Sequence, residues 1–331
     1  MSDPEVEAAL DEAELPPPRR KKRWRMLAVL ALLIAIAGTV VWIQREKIAN
    51  SIIAGQIEDL GLPATYEIES IGTDRQVLKN ITIGDPGRPD LTVARAEIET
   101  IFRLGIPLIG TVRLEGARLY GTYKHGKLSF GSLDPVIFAD RAGPKGLPDL
   151  ELELVDGRAR IDSDYGVIGA KLEGEGNLQT GFRGKLAAVA PALAFAGCKA
   201  SQTTVYGEVT TAQGRAQFSG PVRLKSLSCP VQQLGVRDAT VQLDAELGAK
   251  FDSVKGNYAL RSGPFAWQGN GTRRIDSQGS FAYAGGKLAA DYDLVANGVD
   301  LGPASANGLT LVGALRSANG SSGIDGEGRI E

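Results

Sequence analysis

From Thr65 to the end of the chain, apolar and polar residues alternate in short runs: Tyr66-Glu-Ile68, Ile81-Thr-Ile83, Leu91-Thr-Val93, Val112-Arg-Leu114 and Leu150-Glu-Leu152-Glu-Leu154. A period of two places one set of side chains on each face of a strand, so each run has a greasy face and a wet one. Glycine separates the runs. His125-Gly126, Asp156-Gly157, Gln213-Gly214 and Gly285-Gly286 read as hairpin turns, because glycine adopts positive φ at little cost. There are 42 glycines, roughly 13% of the chain against a usual share of roughly 7%. Aromatic residues are sparse at 6%, and there is one histidine. These features predict a mostly β chain folded as a long, curved antiparallel sheet rather than a helical enzyme core. Even LAAVAPALAFA, residues 186–196, reads as strand, since Pro191 interrupts a weak helical pattern.

The N-terminal sixty residues follow a different period. Met26 to Ile43 is an uncharged run of eighteen residues that would reach about 27 Å as a helix, close to the hydrocarbon thickness of a bilayer. Trp24 and Trp42 bracket it, and Arg19, Arg20, Lys21, Lys22, Arg23 and Arg25 crowd its N-terminal side. That pattern predicts a single transmembrane anchor over residues 19–43 with a cytoplasmic N-terminus. Residues 1–18 are acidic, end in three prolines and read as a disordered tail. Within 44–61, Ile48, Ile52, Ile53, Ile57 and Leu60 recur at amphipathic spacing, and Gly61 and Pro63 supply the stop, which predicts a juxtamembrane helix. Residues 62–331 form the β body. The competing reading of the N-terminus is a cleaved signal peptide, because Ala35-Ile36-Ala37 fits a small-residue cleavage site. An acidic leader, an apolar run that continues past that point and Trp42 at the far boundary favour the anchor.

Beyond residue 25 the chain holds 33 acids and 31 bases, so no basic face is implied and nucleic acid is excluded as a partner class. Cys198 and Cys229 both lie past the anchor, where an oxidising compartment would pair them as a disulfide; two buried thiols on separate strands are the alternative. Two cysteines and one histidine fall short of a metal site, and no cofactor is expected. Asp162-Ser-Asp164-Tyr-Gly166 lacks the later acids of a calcium loop and reads as a hairpin end. Gly174-Glu-Gly176 with Gly181 fails dinucleotide spacing. His125 sits on an expected turn, a place for a solvated side chain rather than a general base.

The order of these parts resembles the AsmA-like proteins, most closely the YdbH-type branch. The resemblance is carried by the basic-flanked anchor, by LGLPATYEIESIG, by LKNITIGDPGRPDLTVARAEIETIFRLG and by GTVRLEGARLYGTYKHGKLSFGSLD. It implies a taco-like β groove that spans the periplasm and conducts phospholipid between inner and outer membranes, with no enzymatic step. It also implies a chain that continues beyond residue 331 into a part meeting the outer membrane or envelope proteins. Ile81, Ile83, Val112, Leu114, Leu150, Leu152 and Leu154 are then the expected groove-facing residues. The alternative is an anchored periplasmic scaffold for envelope assembly, with a sealed β core and no lipid path.

Overall fold

The computed structural model describes residues 62–330 apart from 73, 104–105, 139–145, 250 and 319–320. The expectations for the tail, for the anchor with Trp24, Met26, Trp42 and Ile43, and for the juxtamembrane helix lie outside the described residues. Among the described residues no helix is long and apolar enough to cross a membrane.

Among the described residues, eighteen strands join in one sheet. The first six are β1 (Ala64–Ile71), β2 (Arg75–Asp85), β3 (Arg88–Arg103), β4 (Ile106–Glu115), β5 (Arg118–Lys124) and β6 (Lys127–Ser129). Then come β7 (Glu151–Ser163), β8 (Gly166–Asn177), β9 (Arg183–Phe195), β10 (Cys198–Ala212), β11 (Arg215–Cys229) and β12 (Leu234–Leu247). The last six are β13 (Ser253–Ser262), β14 (Phe265–Trp267), β15 (Asn270–Ala284), β16 (Lys287–Asp300), β17 (Ser305–Ala318) and β18 (Ser321–Ile330). The stretch 186–196 falls in β9, as its reading as strand requires.

Neighbours in sequence pair antiparallel almost throughout, with β4 and β5 acting as two halves of one long strand against β3. β13 and β14 likewise share the edges of β12 and β15. One junction departs from the expected antiparallel plan: β7 runs parallel to β4 and β5. A parallel pair needs a crossover rather than a hairpin. The crossover begins with a 3₁₀ turn at Gly131–Leu133 and a helical turn at Asp134–Ile137. Asp134 holds its start, accepting from the Ser129 hydroxyl at 2.6 Å and the Phe130 N–H at 2.5 Å. Asp90 in β3 accepts from the N–H and hydroxyl of Ser132 at 2.9 and 2.7 Å.

A second correction concerns Asp156-Gly157, which is not a hairpin turn but lies inside β7. Asp156 does have positive φ, 50°, and so do Asn80 in β2 at 51° and Gly116 between β4 and β5 at 65°. Across β10, β12 and β16 the same conformation recurs at Gln202, Asp238 and Gly298. Asparagine, aspartate and glycine tolerate this region best. In a regular strand, residues three apart point to opposite faces, yet Val93 and Ala96 are buried in one cluster, and Ala296 and Val299 in another. The alternation resets by one position there, with positive-φ Gly298 between the second pair and positive-φ Asn80 and Gly116 beside the first. The β7–β8 ladder shifts at Asp156 and the β1–β2 ladder beside Asn80, whereas register is kept at the other crease: Ser201 pairs with Ser226 and Thr203 with Leu224 on either side of Gln202. Arg237 and Ala239 flank Asp238 against those same two residues. The resets therefore line up across neighbouring strands as two creases in the sheet, and local disruptions of this kind add twist and bend.

Glycine has a further use on the apolar face, where it makes room for rings. A Cβ at Gly121 would meet the Phe130 ring at 2.8 Å, and one at Gly207 the Phe218 ring at 2.6 Å. Phe182 lies over both Gly174 and Gly184 and is only 2% exposed. A side chain at 174 would also meet backbone, the Arg183 carbonyl at 2.4 Å and the Gly184 Cα at 2.5 Å. Gly174→Val is therefore expected to expel Phe182 and destabilise the sheet by about 1–3 kcal/mol. A lowered urea midpoint for the purified protein checks this; an unchanged midpoint would show that the ring does not depend on the glycine.

Candidate functional site: an apolar sheet face

Residues paired across a ladder share a face, so the strand registers trace rows that run across the sheet. One row passes from Ala170 in β8 through Ala188, Val205, Val222, Val241, Leu260, Ser277 and Leu294 to Leu311 in β17. Eight of these nine residues are aliphatic. A neighbouring row on the opposite face runs through Glu173, Lys185, Glu208, Ser219, Asp244, Asn257, Ser280 and Asp291. One face is greasy and the other wet over the same strands.

The residues expected to face a groove gather on the greasy side. Ile81, Leu114 and Leu154 pack on the cluster of Val93, Ala96 and Ala117. Ile83 pairs with Leu91 of that cluster, and Val112 pairs with Leu152 beside the Leu114–Leu154 pair. Leu150 precedes β7, half-buried, and its carbonyl accepts the Leu178 N–H at 2.9 Å. Further along, Tyr123, Leu128, Ile161, Ile168, Leu193 and Phe195 line an open apolar hollow of about 530 Å³. Sequence reasoning missed this hollow, because its walls come from β5 to β9 and none of those residues sits in a strongly alternating run.

A sealed sandwich would bury its inner rows completely. Here every residue from Ala188 to Leu260 in the aliphatic row is only half-buried, as are Leu294 and Leu311. Among the described residues no second layer covers those positions. A larger hollow of about 670 Å³ is lined mostly by polar side chains, among them Glu208, Asp244, Glu246, Lys255 and Asn257, and does not suit an apolar guest.

The opposite face is tied together by ion pairs. Arg95 donates to Glu69 at 3.0 Å and also to Glu97; Arg113 donates to Glu115 at 2.9 Å and to Glu153. The Lys79 and Arg95 side chains hold the Glu69 carboxyl below its ordinary range. Arg215 does the same for Glu246, Arg274 for Asp276 and Arg316 for Asp291.

Cys198 and Cys229 are joined as a disulfide between the ends of β10 and β11, with Cα atoms 4.0 Å apart. Cys229 is buried. His125 occupies the β5–β6 turn with φ at 53°, and its N–H donates to Asp164 at 2.7 Å. Asp162 to Gly166 makes the β7–β8 hairpin, where the Ser163 hydroxyl donates to the Gly166 carbonyl at 2.6 Å.

Two outcomes follow from these contacts. Opening the 31-residue separation by Cys198→Ser with Cys229→Ser is expected to destabilise the protein by roughly 3–4 kcal/mol in the chain-entropy account. Equal denaturation midpoints for the oxidised protein and the double variant would refute that. The ion-paired carboxyls have folded pKa values below their unfolded ones, so their contribution is present above the ordinary carboxylate range and is lost as pH falls through and below it. Stability measured from neutral to acid pH should decline there, and less steeply in Arg274→Gln with Arg316→Gln.

No curated protein and no solved structure gives a significant match to the chain. A family match does: residues 32–325 fit the YdbH-like family, described as intermembrane phospholipid transport protein YdbH, and on a match of that extent the chain belongs to the YdbH-like family.

Proposed function

We propose that the protein is a single-pass inner-membrane protein whose periplasmic β body carries phospholipid between the inner and outer membranes along its apolar face. The observation that carries this reading is the row from Ala170 to Leu311, half-buried and aliphatic except at the buried Ser277. At about 4.8 Å per strand, its nine strands reach about 38 Å, more than twice the roughly 15 Å half-thickness of a bilayer core. Moving two long acyl chains through water costs on the order of 20 kcal/mol at about 0.8 kcal/mol per CH₂. An apolar strip removes most of that barrier and needs no covalent step. Family membership supports phospholipid as the cargo.

In this reading Ile81, Ile83, Val112, Leu114, Leu150, Leu152 and Leu154 contact acyl chains near the start of the sheet. The anchor at residues 19–43 brings that region to the outer leaflet of the inner membrane, and the disulfide belongs to an oxidising periplasm. The half-exposed inner rows speak against the scaffold with a sealed core.

Photo-crosslinking in cells tests the reading. Photoreactive residues at Ile81, Val112, Leu114, Leu152 and Leu154 should capture phospholipid, while those at Thr82, Arg113 and Glu153 should not. Capture only from the second set would reverse the facing. Capture from no position in the body would sink the conduit.

A further inference from the structure

The apolar face carries a group of hydroxyls on three adjacent strands. Ser277 in β15 is the one polar member of the row from Ala170 to Leu311 and is 8% exposed. Tyr258 in β13 and Tyr292 in β16 lie in the next row, each paired with Gly279 of β15. Ser262, at the end of β13, is 4% exposed, and its hydroxyl donates to the Gly263 carbonyl at 3.1 Å.

The Tyr258 and Ser277 hydroxyl oxygens are 3.2 Å apart. When Ser277 donates in that bond, the phenolic proton of Tyr258 is left for another acceptor. Tyr292 is half-buried, and among the described residues its hydroxyl has no hydrogen-bond partner. Between the two tyrosines the floor is Gly279, which has no side chain and admits none: a Cβ there would come within 1.9 Å of the Asp291 carbonyl. The slot is therefore about two strand spacings, roughly 10 Å, from one tyrosine Cα to the other. Aliphatic residues continue on both sides of it, with Val241 and Leu260 before and Leu294 and Leu311 after.

We propose that this slot is a subsite for the glycerol-ester region of a phospholipid. The Tyr258 and Tyr292 hydroxyls donate to ester carbonyl oxygens, and the acyl chains lie along the flanking aliphatic residues. Ser277 is a positioning residue that orients the Tyr258 hydroxyl. The proposal rests on the lipid-carrying reading and adds a place where cargo pauses. Tyrosine suits this position because its ring stays apolar while its tip is a donor.

The test uses the full chain in vesicles with a photoreactive residue at Leu294, a control at Leu172 in β8, and labelled dioleoyl phosphatidylethanolamine or its diether counterpart, which lacks the carbonyls. Capture of the diester lipid at Leu294 should fall about three- to ten-fold in Tyr258→Phe with Tyr292→Phe, the scale of one to two neutral hydrogen bonds. Capture at Leu172 should stay level, which shows that the variant is folded and loaded. The diether lipid should already be captured weakly at Leu294 in the unaltered protein. Equal capture of diester lipid by variant and parent overturns the subsite. An equal fall for both lipids assigns the hydroxyls to the phosphate and overturns the ester assignment. Lipid capture at neither position in the parent would instead refute the lipid-carrying reading itself.

Discussion

An open sheet face with no second layer has to be held by the backbone ladder and by contacts between neighbouring side chains within the sheet. The ladder from β1 to β18 supplies this, and its register decides which face is greasy. A slip of one residue in any strand would push charged side chains such as Glu173 or Asp244 into the apolar rows. The ion pairs on the wet face guard against that slip. Each exposed pair contributes little on its own, on the order of 0–1 kcal/mol. Their placement matters more than their strength: Arg113 bridges β4 to β7 through Glu153, and Arg215 bridges β11 to β12 through Glu246. A slipped register would separate those partners.

The creases reconcile a strict register with a bent sheet. Bending by an inserted residue shifts the ladder, as happens between Leu154 and Gly157 where β7 meets β8. At Gln202, Asp238 and Gly298 a positive-φ residue bends the strand while leaving the partners on either side in step. Because the parity of the side chains changes at that residue, every neighbour must change at the same row for the greasy face to stay continuous. The buried trios Val93, Ala96, Ala117 and Ile275, Ala296, Val299 sit at these lines. They are buried spots on a face that is elsewhere mostly half-exposed.

Much of this was legible in the sequence, and the misses have a common cause. Alternation in Ile81-Thr-Ile83 and Leu150-Glu-Leu152-Glu-Leu154 predicted strands and put their leucines and isoleucines on one face, since period two needs no tertiary information. Asp156-Gly157 was read as a turn with positive φ at the glycine, whereas the positive φ falls on Asp156 and inside β7. The same local conformation serves a hairpin at Gln213-Gly214 and a crease within β7, and only the pairing of the flanking residues separates them. The parallel junction of β7 with β4 and β5 was invisible for a similar reason: it depends on where the crossover after Ser129 returns, a non-local fact. The tyrosine slot was missed because Tyr258, Ser277 and Tyr292 are 19 and 15 residues apart in sequence and meet only through the registers of β13, β15 and β16.

The apolar face also bears on what completes the fold. Contiguous exposed apolar patches above a few hundred Å² are uncommon on soluble monomers and mark interaction sites. A row crossing nine strands, with the cluster near Val93 at one side and the hollow at Phe195 between, makes one apolar surface across much of the sheet. A protein layer over it would fix a single set of contacts and lock the sheet as a sandwich. A guest whose contacts are equivalent from one strand to the next covers the same surface without choosing a position, because Val205, Val222 and Val241 offer nearly the same surface in succession. In the proposed lipid-carrying role, that repetition would give an acyl chain an even path. Polar breaks such as Ser277 then become the features that can distinguish one position along the path from another.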